Sequence, residues 1–137
     1  ITPKEINYKY KPILGDRYVK LWAYNIETVL AEKVETILSR VESNGRMRDF
    51  YDVYLIYTKD WDNVNLEHFR NAIEKTFYKR EYVGNPLLAL DLIMESNILN
   101  ERWKKYQKRY EYASNIGFDE ILICLEKIIN VLALETV

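Results

Sequence analysis

Residues 48–57, Arg-Asp-Phe-Tyr-Asp-Val-Tyr-Leu-Ile-Tyr, constrain the fold more than any other stretch of the chain. Apart from Arg48, Asp49 and Asp52, nearly every side chain there is apolar or aromatic. A helix of that kind has no face to offer water, so it is a buried helix. Its three charges fall within about 100° of one another on a helical projection. Asp49 and Asp52, at i and i+3, are surface neighbours. Charges grouped on one side of a buried helix need an oppositely charged partner there.

The preceding segment supplies one. Asn25 predicts an N-cap with Glu27 in the first turn, and Ser43-Asn44-Gly45 stops a helix that runs to about Glu42. At 100° per residue, Val29, Ile26, Ile37, Leu30, Val41, Val34 and Leu38 fill an arc of about 180°. Lys33 and Arg40 project into that arc on one face, with Thr36 beside them. Left buried and unpaired, they would cost several kcal/mol each, on the order of an ion-desolvation penalty. The short connection predicts antiparallel packing, which brings Arg48, Asp49 and Asp52 toward them. Two readings follow. One is a structural salt-bridge network that pins the helices together. The other is a polar cleft in which Lys33 and Arg40 hold phosphate oxygens while a carboxylate binds a metal or orients a reacting group.

Around this pair the pattern continues as helices. Residues 59–63 read as a loop. A third helix starts at Asn63 or Asn65 and carries Leu66, Phe69, Ile73 and Phe77, and Gly84 ends that stretch. Asn85-Pro86 opens a fourth with cap and first-turn proline in the favoured order, running toward Leu99. Another covers 100–112, and after Gly117 the last carries Ile121, Leu125, Ile128 and Leu132. Residues 5–24 instead alternate with period two, and Gly15-Asp16 suits a type II′ turn. The expected fold class is α+β, mostly α. A β-hairpin occupies residues 1–24, and a bundle of about five helices follows over 25–137.

Composition narrows the function classes. With 137 residues there is room for one ordinary domain. Lys and Arg number 20 against 21 Asp and Glu, a net charge of −1, so any attraction to nucleic acid must come from a local patch. Such a patch lies at 101–110. There Lys104, Lys105, Lys108 and Arg109 are candidate RNA-backbone contacts, with Trp103, Tyr106 and Tyr110 at helical spacing. The alternative is a solvated basic face whose aromatic stripe joins the core. The lone Cys124 and lone His68 exclude a disulfide framework and Cys-based or two-His metal sites. Cys124 reads as core and His68 as a half-exposed helix residue. Asp60-Trp61-Asp62 mimics a metal-binding pair, but no Gly-Ser precedes it and it follows a helix, so it reads as a loop or helix start. No apolar run approaches the ~20 residues of a membrane span. The expected setting is the cytoplasm, without membrane contact.

The run Ala31-Glu32-Lys33 through Ser39-Arg40, followed by Arg48-Asp49-Phe50-Tyr51-Asp52-Val53-Tyr54, resembles the later motifs of the AbiEii/AbiGii-type toxin nucleotidyltransferases. Trp103 with Tyr106, and Phe118 opening the last helix, extend the resemblance. It implies that the chain corresponds to the C-terminal half of such a protein, with the hairpin as the end of its central sheet. The polymerase-β-like half carries a Gly-Ser motif and an Asp-x-Asp metal pair, and here no Gly is followed by Ser. By resemblance, Lys33 contacts nucleotide phosphates and Asp49 is the essential acid. Ser39 and Arg40 support the phosphate contact, while Asp52 and Arg48 hold the cluster together. The implied reaction moves a nucleoside monophosphate from an NTP to tRNA or another macromolecular hydroxyl. It uses two Mg²⁺ ions whose ligands lie in the other half, so this chain alone is expected to be inactive. The implied partners are the nucleotidyltransferase half, a nucleotide, tRNA and a cognate antitoxin. The rival is a non-catalytic helical module that binds protein or RNA, its charge cluster purely structural. Under the catalytic reading, Lys33→Ala and Asp49→Ala abolish transfer with little change in melting temperature.

Overall fold

The computed structural model describes residues 25–135, which fold into six helices with no strand among them. The hairpin expected within residues 1–24 lies outside the described residues. Helix α1 spans Ile26–Arg40, and the Asn25 side chain caps it by accepting from the Thr28 N–H at 3.1 Å. It stops at Arg40 rather than Glu42. Val41 takes φ 47°, a region that β-branched residues avoid, and a 3₁₀ turn over Val41–Ser43 follows.

Helix α2 spans Met47–Asp60 and takes in Lys59 and Asp60 of the segment expected as a loop, whose remaining residues, Trp61–Asn63, form a 3₁₀ turn. Helix α3 is Leu66–Lys79, with Asn65 as its cap. Helix α4 is Pro86–Met94, where Asn85 accepts from the Leu87 and Leu88 N–H groups. The apolar pattern through Leu99 is not one helix. Buried Ser96 accepts from the Leu99 N–H at 3.1 Å and starts α5, Asn97–Arg109. A further 3₁₀ turn, Glu111–Ala113, leads to α6, Phe118–Glu135. The six helical stretches read along the sequence are six helices, against the expected total of about five, and the break expected after Leu99 falls at Ser96.

Helix α2 is the buried centre that its composition demands. Phe50, Val53 and Ile56 are fully enclosed, together with Leu30, Val34 and Ile37 of α1 and Ile121, Leu125 and Ile128 of α6. An aromatic chain extends this core. Phe50 meets Phe118 edge-on at 5.3 Å, and Phe118 stacks with Trp103 at 6.0 Å. The Trp103 indole donates to the Ile116 carbonyl at 2.8 Å, so this buried ring keeps its hydrogen bond. Helix α3 is tied to α1 at both ends. The buried Glu27 carboxylate accepts from the Asn65 N–H at 2.7 Å, and Arg80 donates to Glu35 at 2.9 Å.

Asp60 closes α2 in a buried position and accepts from the Asn63 amide at 2.6 Å. Burial pushes its carboxyl above the ordinary aspartate value. The Asn63 bond pulls it down, and the Glu27 charge pushes it up again. A carboxyl raised by folding stabilises the fold only while protonated. That contribution is complete below the unfolded-state value and is lost as the pH rises through the folded one. Asp60→Asn is therefore expected to raise the melting temperature at pH 7, with the gap to wild type closing by pH 3. Thermal denaturation across that range checks it, and a gap independent of pH contradicts the assignment.

Candidate functional site

The charges set against the apolar pattern of α1 and α2 do meet. The Lys33 ammonium lies 3.1 Å from Asp49 Oδ1 and 3.2 Å from Asp52 Oδ2. Helix α1 aims Lys33 across the helix pair, and the i, i+3 spacing on α2 offers both carboxylates on the side that receives it. The burial is graded. The Asp52 side chain is 0% exposed, that of Asp49 4% and that of Lys33 18%. Asp52 is the base of the cluster, and Lys33 and Asp49 reach daylight.

They reach it in a cleft of about 540 Å³ lined by Lys33, Asp49, Ser39, Arg40, Arg46 and Arg80, with Glu32, Glu35 and Thr36 completing its walls. Ser39 and Arg40 are exposed at the rim, and the Ser39 hydroxyl donates back to the Thr36 carbonyl at 3.3 Å. So Lys33 meets the acids directly, whereas Arg40 shares the cleft with them and stands free of the apolar arc. Arg46 lies 3.8 Å from Asp49. Arg80, at the end of α3, donates to Glu35 and at 3.1 Å to the Thr36 hydroxyl.

Sequence reasoning missed Arg46 and Arg80. Arg46 sits three residues before Asp49, a spacing that could have been read. Arg80 comes from a distant helix end and left no local signal. An ammonium has three hydrogens. With two directed to Asp49 and Asp52, one remains for the cleft among the contacts of the described residues.

Arg48 turns the other way. It lies against the hydroxyls of Tyr112 and Tyr106, and the Tyr112 bond leads in raising its pKa above the ordinary arginine value while burial opposes. It lines a second cleft of about 590 Å³ together with Arg46, Arg102, Lys105 and Arg109. The basic run of α5 is thereby divided. Lys105 and Arg109 face this cleft, while Lys104 pairs with Glu101 at 3.5 Å and neither it nor the exposed Lys108 lines the cleft. Trp103 belongs to the core, Tyr106 is half-buried, and the Cys124 thiol is raised chiefly by burial. His68 is exposed rather than half-exposed.

Among the described residues no three His, Cys, Asp or Glu side chains form a metal-holding group. Asp49 and Asp52 are both bound to Lys33, so the cluster does not fit a Mg²⁺ ion. No described helix is long and apolar enough to cross a membrane.

These features define a helical-bundle domain with an open cleft floored by a lysine–dicarboxylate cluster and edged by arginines. The family model described as Nucleotidyl transferase AbiEii toxin, Type IV TA system, matches residues 1–123, and the chain belongs to that family. No curated protein and no solved structure matches it.

The graded burial predicts graded stability. Asp52→Ala leaves Lys33 without its enclosed partner and is expected to cost about 3 kcal/mol, as for breaking a buried pair. Asp49→Ala, where water can enter, is expected to cost less, and Arg40→Gln on the rim no more than about 0.5 kcal/mol. Urea unfolding of the three variants checks the order.

Proposed function

We propose that the intact protein transfers a nucleoside monophosphate from an NTP to a hydroxyl of tRNA or another macromolecule, with the α1–α2 cleft completing its triphosphate site. The observation that carries this reading is the position of Lys33. The residue that the family resemblance assigns to nucleotide phosphates stands at the floor of an open cleft, with Arg40, Arg46 and Arg80 around it. A volume near 540 Å³ falls in the range of small-ligand sites, roughly 300–1,000 Å³.

In the reaction the acceptor oxygen bonds the α-phosphorus as the bond to the bridging oxygen breaks. Pyrophosphate leaves with the electron pair, and the hydroxyl proton passes to water. Positioning and charge stabilisation do most of the work in such transfers. Arg40 and Arg46 supply planar donors for phosphate oxygens, and the remaining Lys33 hydrogen adds a point contact. Asp49 holds Lys33 at the cleft floor, and Asp52 fixes it from below. Mg²⁺ belongs to the half of the family that carries Asp-x-Asp. A cognate antitoxin and a cytoplasmic setting accompany this reading of a toxin.

The scaffold reading also has an observation in its favour, the full enclosure of Asp52. It changes the expectation for Lys33→Ala, which strands two buried carboxylates and so lowers stability as well. The test therefore uses Asp49→Asn and Arg46→Gln in the intact protein, with labelled NTPs, Mg²⁺ and total RNA, and transfer counted per folded molecule. Each is expected to lose at least tenfold in transfer while its circular dichroism spectrum is kept. Wild-type transfer per folded molecule in both variants would leave the cluster as scaffold only.

A further inference from the structure

The second cleft carries a charge arrangement that nucleotide binding in the first does not use. Arg46, Arg48, Arg102, Lys105 and Arg109 line it, and among the described residues no acidic side chain does. In a chain of net charge −1 this is a local concentration, not a reflection of the whole.

Most of these cations are satisfied by groups that leave their charge intact. Arg102 donates to the Glu42 carbonyl and, at 3.1 Å, to the Asn44 carbonyl. Arg48 meets the phenols of Tyr112 and Tyr106, and Arg109 lies 5.7 Å from the centre of the Tyr110 ring. Among the described residues, Arg46 is the one of the five that leans toward a carboxylate, at 3.8 Å. The start of α2 opens onto the same cleft through Gly45, Arg46 and Met47, and Arg46 at its N-cap makes no side-chain capping bond. A helix N-terminus adds positive potential. Five cations converging on it repel one another unless an anion lies among them.

The shape says which anion. Tyr106 and Tyr110 line the cleft beside the cations, within a cluster of rings that includes Tyr112. Rings interleaved with arginines suit a strand whose phosphates take the charge while unpaired bases stack, and a paired helix hides those base faces. Arg46 borders both clefts, so a strand lying in the second is led toward the first.

We propose that the cleft between the start of α2 and the C-terminal half of α5 binds the backbone of a single-stranded RNA end and delivers it to the α1–α2 cleft. The delivery rests on the proposed transfer reaction, whereas the binding stands without it.

The test is fluorescence anisotropy of the intact protein with a labelled single-stranded RNA oligonucleotide across a salt series, without NTP or Mg²⁺. Lys105→Gln/Arg109→Gln is expected to weaken binding about tenfold or more and to flatten the log–log salt slope by about 2, one unit per lost phosphate contact. Lys104→Gln/Lys108→Gln removes the same charge from the same helix outside the cleft, and is expected to lose less than threefold. Tyr110→Ala is expected to weaken single-stranded RNA more than duplex RNA.

Equal losses from the two double variants would overturn the proposal, as would equal affinity for duplex RNA. Displacement of RNA by polyglutamate of matched charge with equal potency would also overturn it, in favour of an acidic protein partner. Asp49→Asn separates the two readings, since it is expected to keep RNA affinity whatever happens to transfer.

Discussion

Everything in the structure turns on one ammonium held between two carboxylates. Without Lys33, Asp49 and Asp52 would set two like charges on neighbouring positions of a helix that has no solvent face to spare. Without them, Lys33 would project into an apolar arc with nothing to meet. Docking α1 on α2 and neutralising the cluster are therefore one event. The cluster keeps a formal excess of one negative charge, since two acids face one base. That excess explains why Arg46 leans in at 3.8 Å. A phosphate entering as proposed would meet first the arginines at the rim and only then the lysine they surround.

The link between α1 and α2 has a second role. It departs from the helix at Val41, and Asn44 turns it by accepting from the Arg46 N–H at 2.9 Å. Arg102 of α5 fastens it through the Glu42 and Asn44 carbonyls. The result is a wall with a cleft on each side, and the two differ in electrostatic kind. The α1–α2 cleft mixes acids and bases, so a ligand there is selected by geometry. Among the described residues the charged side chains of the cleft beside α5 are bases alone, so a ligand there would be drawn by field, which extends further and depends on salt.

Much of this was legible because it is local. The all-round apolar run fixes α2 at the centre, and Asn25, Asn65 and Asn85 mark helix starts by a mechanism that acts over three residues. Lys33, Asp49 and Asp52 stood out as charges set against pattern. What escaped was decided by tertiary structure or by ambiguous punctuation. Ser96 sits inside an apolar rhythm that runs unbroken to Leu99, so the break between α4 and α5 reads as falling after Leu99 rather than at Ser96. The helical projection places Arg48 with the aspartates because a 100° sector is wide enough to straddle two clefts. Arg80 enters the site from the end of α3, and no spacing along the chain announces a contact with Glu35. The division of the α5 cations depends on which side of that helix the α1–α2 link covers. The strands expected before Asn25 lie outside the described residues.

A structural lysine and a phosphate-binding lysine are often treated as rival assignments, but the geometry here makes them compatible. A free lysine brings a long, mobile side chain whose ordering opposes binding. Lys33 is already held at two points, so a third contact with a phosphate oxygen orders little more of it. Its position is fixed by helix packing, the kind of rigid support that keeps a charge-stabilising group in register with a reacting centre. The two carboxylates do weaken its net positive charge, and the arginines at the rim restore what the cluster has spent. The division of labour follows from burial: the enclosed aspartate sets the lysine, the lysine marks the floor, and the exposed guanidinium groups carry the charge that a triphosphate would meet.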